Sequence, residues 1–244
     1  MTINQLYRQQ NQVLALSKCL CLLCFCWLVG SGFAFNETDL EVLKKIALKY
    51  PELNWLGDNP CQYEGIKCQN GRVVSLDIAH RDLKDKGLPD EIFELDNLQM
   101  LIVRHCNLNN ISDNIVKLIK LKILDVSENQ LKTLPESVYE LKALTILLAQ
   151  ENQFSELNPK LKNLTELNTL NYSKNKLKSV PEFIASFNKL ENLYFENNVI
   201  DEVKADLSKL PALSELSIQN NLLKDKELSK LKQLSCTLSI TPQL

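Results

Sequence analysis

Glycine is scarce in this sequence. The 244 residues include six, scattered rather than clustered, so no glycine-rich loop is available to cradle a phosphate. Histidine is scarcer still: His80 and His105 are the only two, too few for a histidine-based metal centre without other ligands close by. No serine sits in a strained elbow that would arm it as a nucleophile, which leaves hydrolytic chemistry without its usual residues. Positive charge is not in excess either. Lys and Arg number 28 against 30 Asp and Glu, a formal net charge of −2 that gives no basis for binding nucleic acid or an anionic membrane. Beyond the first 35 residues there is no further long hydrophobic run.

What is present begins with that one run. "CLCLLCFCWLVG" is preceded by Arg8 and Lys18 and followed by "SGFAF", the layout of a secretory signal peptide with Gly32 and Ala34 before a cut at Phe35. The alternative is an uncleaved signal anchor from Val13 to Phe35, interrupted by Lys18. Either arrangement puts the rest of the chain outside the cytosol, as a secreted, surface or periplasmic protein. Loss of residues 1–34 removes Arg8 and Lys18 and no acid, which makes the remainder more acidic.

The remainder is periodic. "LKILDVSENQL", beginning at Leu121, recurs from Leu144, Leu167, Leu190 and Leu213 at a constant spacing of 23 residues, and looser copies begin at Val73 and Leu98. Numbered within a copy, positions one, four, six and eleven are apolar. Position nine is Asn129, Asn152, Asn175, Asn198 or Asn221. Alternation at four and six predicts a short strand with one buried face, and asparagine where the chain turns away predicts side-chain bonds to otherwise unpaired backbone. The pattern L-x-x-L-x-L-x-x-N-x-L resembles that of leucine-rich repeat proteins. The resemblance implies an α/β solenoid, a right-handed horseshoe with parallel strands on its concave side. The segments are then 1–34 signal peptide, 35–72 N-terminal cap, 73–234 seven repeats, and 235–244 a truncated terminal strand at "CTLSI".

In the cap, Thr38 to Glu41 reads as a capping box, and Leu40, Leu43, Ile46, Ala47 and Tyr50 form one face of a helix that Pro51 ends. Cys61 and Cys68 follow, and their spacing alone leaves metal site, redox pair and covalent staple open. Trp55, Pro60, Cys61, Gly65, Ile66, Cys68, Gly71, Val73 and Leu76 resemble the plant-type cap of receptor ectodomains and polygalacturonase-inhibitor proteins, with Tyr63 in place of the usual tryptophan. That resemblance implies a Cys61–Cys68 disulfide, consistent with an exported chain. Zinc would need two more ligands beside the cap, and a redox pair usually has a two-residue spacing. Cys106 stands at an asparagine position and is expected to be a buried thiol. Cys236 lies some six repeats away, far beyond disulfide reach.

Positions two, three, five, seven and eight are expected to face the concave side or its rims, with no core role, and are free for recognition. Met100, Ile102, Ile123, Ile146 and Leu148 are apolar there, and an exposed apolar patch marks an interaction site. Arg104, Asp125, Glu128 and Glu151 rim it, with Tyr194 further along. His80 and His105 are expected as neighbours on one rim. Asn36, Asn110, Asn163 and Asn171 fit the N-x-S/T rule, Asn171 on the concave face itself. The reading is a recognition module for a protein or peptide ligand, with no enzyme activity, no cofactor and no metal. Alternatives are a structural surface or wall protein, a homodimer, or an inhibitor of a secreted enzyme. No kinase domain or second span follows the repeats, so signalling is expected to need a co-receptor.

Overall fold

The computed structural model describes residues 37–83 and 87–243. The expected signal segment and the acceptor Asn36 lie outside them.

The cap opens with helix α1, Glu37–Lys49, which carries Glu37 and Asp39 in its first turn and Lys49 in its last, the charge order that suits a helix dipole. The capping box would put Thr38 before the helix, but the helix has already begun at Glu37. Its inward face is Asp39, Val42, Leu43 and Ile46, with Leu40 and Ala47 only half-buried. Asp39 is the unexpected member, and it is tied across to the sheet.

Strand β1, Ile66–Gln69, runs antiparallel to β2, Arg72–Asp77. Asn70 and Gly71 join them, both at positive φ (51° and 74°), as a two-residue hairpin turn matched to strand twist requires. Gly65, φ 79°, precedes β1. A Cβ there would stand 1.9 Å from the Asp77 carbonyl oxygen, so only glycine fits. The Cys61–Cys68 disulfide closes the loop, with Cα atoms 5.5 Å apart. Tyr63 stacks on Trp55 at 6.0 Å between ring centroids and donates its hydroxyl to the Gly57 carbonyl, so an aromatic smaller than tryptophan is held by a bond tryptophan would not make.

From β2 the chain repeats strand and return. The strands are β3 (Met100–Ile102), β4 (Ile123–Asp125), β5 (Ile146–Leu148), β6 (Thr169–Asn171), β8 (Asn192–Tyr194), β10 (Glu215–Ser217) and β11 (Thr237–Ser239), parallel and in register with β2 in one nine-stranded sheet that includes β1. Returns are single 3₁₀ turns started at Pro89, Ser112, Pro135, Asn158, Pro181 and Asp206, and β7 (Ser179–Val180) and β9 (Glu202–Val203), each just ahead of one of the last two, pair in parallel. The last return is different. "DKELSKL", without proline and rich in helix formers, makes α2, Asp225–Leu231.

The core is one continuous cluster from Val42 to Ile240, to which each copy adds positions one, four, six and eleven, as Leu121, Leu124, Val126 and Leu131 do. The asparagines stitch the copies. Asn129 Oδ1 accepts from the Cys106 and Leu108 amides of the preceding copy at 3.1 and 2.9 Å, and its Nδ2 donates to the carbonyls of Val103, Val126 and Ser127 at 2.8–2.9 Å. Asn152, Asn175, Asn198 and Asn221 repeat the pattern. In all seven copies the residue at position eight (His80, His105, Glu128, Glu151, Lys174, Asn197, Asn220) adopts positive φ without being glycine. Each of these left-handed residues directs the chain from strand to turn at a small steric cost, offset by the inter-copy bonds beside it.

Candidate recognition face

The face of the sheet opposite the core carries positions three and five, and register decides who neighbours whom. Met100, Ile123, Ile146 and Thr169 form one row, and Ile102, Asp125, Leu148 and Asn171 form the next. The structure thus brings the five apolar candidates together, and none of them belongs to the core cluster. It also corrects the expectation of an exposed patch: these five are between 3% and 8% exposed. Side chains set shoulder to shoulder along adjacent strands remove lateral surface from one another.

The polar candidates divide. Arg104 does sit on a rim, donating to Glu128 through Nε at 2.7 Å, while His105 Nδ1 lies 3.2 Å from the other Glu128 oxygen. The His80 and His105 rings are neighbours, 5.1 Å between centroids. Glu151 holds Lys174 at 2.6 Å. Asp125 is not a rim residue. It is 1% exposed, and its Oδ1 accepts from the Ser127 amide (2.9 Å) and hydroxyl (2.5 Å), as Asp77 accepts from the Ala79 amide and Asn171 from the Ser173 amide. A carboxylate or amide two residues before the turn is drawn in to satisfy backbone there. The same bond and 2% exposure make Asn171 a poor glycan acceptor, unlike exposed Asn110 and half-buried Asn163. Tyr194 donates to Glu215 Oε2 at 3.0 Å, and burial, followed by that bond, pushes its hydroxyl pKa up.

Sequence reasoning missed two features. Asp39 grips Arg72 and the Val73 amide, 33 and 34 residues away, and only its place on an otherwise apolar helix face could have signalled it. The second is a row at position seven, Gln150, Ser173 and Glu196, with one polar atom each shielded from solvent.

Cys106 is buried and its thiol donates to the Ile78 carbonyl at 3.2 Å. Burial pushes its pKa up from 9.0 to about 11, so almost no thiolate exists at neutral pH and the residue cannot act as a nucleophile. Because the unfolded chain loses this proton first, the buried thiol's contribution to stability is complete below about pH 9 and is lost as pH rises through 11. We expect native-state alkylation at pH 8, mapped peptide by peptide, to modify half-buried Cys236 well before Cys106, which reacts only on unfolding. Equal rates at the two sites would show Cys106 to be accessible.

Residues 96–154 match the family model described as Leucine rich repeat. A rice (Oryza sativa subsp. japonica) protein named Receptor protein kinase WSS1 is 37% identical over 75 residues, which take in 30% of this chain and 8% of the kinase. Among solved structures, a leucine-rich repeat protein of Leptospira interrogans is 30% identical with a TM-score of 0.60, covering 63% of this chain and 40% of that one. The leucine-rich repeat ectodomain of the Arabidopsis thaliana receptor kinase SOBIR1 is 28% identical with a TM-score of 0.59, covering 73% of this chain and all of that one. The chain therefore spans less than half the length of the first two. Among the described residues no helix is long and apolar enough to cross a membrane.

Proposed function

We propose, from the premise that this chain is a leucine-rich repeat protein with a plant-type N-terminal cap, that it is an extracytoplasmic, non-catalytic recognition module whose concave face holds a protein or peptide ligand. One observation carries the reading: the apolar rows Met100, Ile123, Ile146 and Ile102, Leu148 lie outside the core, on the face the fold does not need. Arg104, Glu128 and Glu151 supply charged groups at one edge, and Tyr194 extends the face toward the C-terminal copies. The likeness to a receptor-kinase ectodomain supports an extracytoplasmic setting, as do the disulfide cap and the layout of residues 1–34. Asn36, Asn110 and Asn163 are the glycan sites this setting would use.

The test is capture from the extracellular fluid of the source organism, with the chain produced in an exporting host, beside an Ile146→Ala/Leu148→Ala variant. Both residues lie outside the core cluster but are nearly buried between neighbouring strands, so their truncation costs stability, and thermal melting checks that the variant is folded at the binding temperature. We expect a protein or peptide retained by the first and at least tenfold weaker on the second, the loss usual when a binding hot spot is truncated. Equal retention would place recognition elsewhere. Light scattering on the same sample separates a monomeric module from a homodimer joined through this face.

A further inference from the structure

The chain's only two histidines occupy position eight of copies one and two, and the fold sets them side by side where β2 and β3 turn away from the sheet. Their backbone is pinned: the His80 amide donates to the Arg104 carbonyl at 2.9 Å and the His105 amide to the Ser127 carbonyl at 3.0 Å. The rings lie 5.1 Å apart between centroids, inclined at 39° to each other. Both residues are open to solvent, the His105 side chain being 62% exposed. Two imidazoles that ligate one tetrahedral ion at about 2.0–2.1 Å each place their ring centres about 5 Å apart, so this pair is already spaced to share an ion.

The surroundings suit one. Glu128 Oε2 lies 3.2 Å from His105 Nδ1, which favours the ring proton on Nδ1 and leaves the Nε2 lone pair to an ion. A carboxylate behind a ligating imidazole is the usual partner at metal sites, where it fixes the tautomer and ring orientation and raises the basicity of the ligand. Glu128 is itself fixed, because Arg104 Nε donates to its other oxygen at 2.7 Å. The positive charges adjacent in sequence are both matched by acids, Arg104 by Glu128 and Arg81 by Glu64 at 3.6 Å. The Cys106 thiol is turned inward to the Ile78 carbonyl and is not a ligand. Among the described residues no group of three or more His, Cys, Asp or Glu side chains is placed to hold a metal ion, so the chain supplies two ligands and water the others. That makes an open site, unlike the closed four-ligand centre of structural zinc.

We infer that His80 and His105 together bind one transition-metal dication, Zn²⁺ or Cu²⁺, with Glu128 behind His105. Imidazole selects such ions over Mg²⁺ and Ca²⁺, which take oxygen ligands. The pair is separate from the apolar rows of the concave face, and the inference does not rest on the reading proposed for them.

The test is a titration with Zn²⁺ of the chain from an exporting host, made without a polyhistidine tag and followed by calorimetry and by the NMR signals of the imidazole ring protons. Both histidines should respond together and saturate at one ion per chain, while Mg²⁺ moves neither. His80→Asn and His105→Asn should each weaken binding at least tenfold, because two joined ligands hold an ion far more tightly than one. Melting temperatures without metal should stay near wild type, since asparagine already serves position eight as Asn197 and Asn220. Glu128→Gln should weaken binding about tenfold, within the range seen when the carboxylate behind a metal-bound imidazole is lost. A response from one histidine alone, equal affinity in wild type and His80→Asn, or no saturable response up to millimolar Zn²⁺ overturns the inference.

Discussion

Replacing Asp39 by alanine should loosen the cap from the repeats at a cost of about 3 kcal/mol, the scale measured when one member of a buried ion pair is removed. Asp39 is 1% exposed, and its two oxygens accept from Arg72 Nη2 and Nε, each at 3.0 Å, and from the Val73 amide at 2.8 Å. Without it, the Val73 amide is buried unpaired and Arg72, itself only 26% exposed, keeps Asp96 alone. The carboxylate thus joins α1 to the first two residues of β2, a point no other polar group on α1's buried face can serve. Asp39→Asn is expected to recover little, because an amide has one oxygen for three donors. Trp55 lies in the cap, so urea unfolding followed by its fluorescence reports the loss locally. A midpoint unchanged by Asp39→Ala would mean that the helix is held by its apolar face alone.

The other large effect is expected inside the array. Asn129→Ala deletes five hydrogen bonds at once, leaving the Cys106 and Leu108 amides without partners. At about 1–3 kcal/mol for each buried amide left unpaired, the cost is about 3–5 kcal/mol after allowing for partial relaxation. Stability in stacked repeats is largely a sum of nearest-neighbour terms, so this loss weakens one junction and should split a single unfolding transition in urea into two. Position nine of copy two offers a comparison. Cys106 occupies it with a thiol bonded to the Ile78 carbonyl, so a cysteine can be accommodated there. Asn129→Cys should therefore cost less than Asn129→Ala. If alanine and cysteine cost the same, the turn tolerates the loss by taking up water.

Legibility differed from residue to residue for physical reasons. The strands, the asparagine stitching and the buried thiol at Cys106 follow from a pattern repeated every 23 residues, because each copy packs only against its neighbours and identical copies must make identical contacts. Asp125 and Asn171 were misread as surface groups. Their position faces away from the core, but the turn two residues later presents an unpaired amide, and a short polar side chain satisfies it first. Asp39 was missed because helical periodicity counts a charge on an apolar face as noise unless its distant partner is known.

The sequence by itself therefore determined the solenoid, its register, the position of the sheet's outer face and, through resemblance, the disulfide of the cap. The tertiary structure alone decided that Asp39 clamps the cap to Arg72, that the apolar rows on the outer face are nearly closed off, and that one polar atom each of Gln150, Ser173 and Glu196 is shielded from solvent. Repeat contacts recur at one fixed separation and leave a periodic trace. Burial and hydrogen-bond partnership depend on which side chains meet across copies, and a residue's own neighbours in sequence do not contain that information.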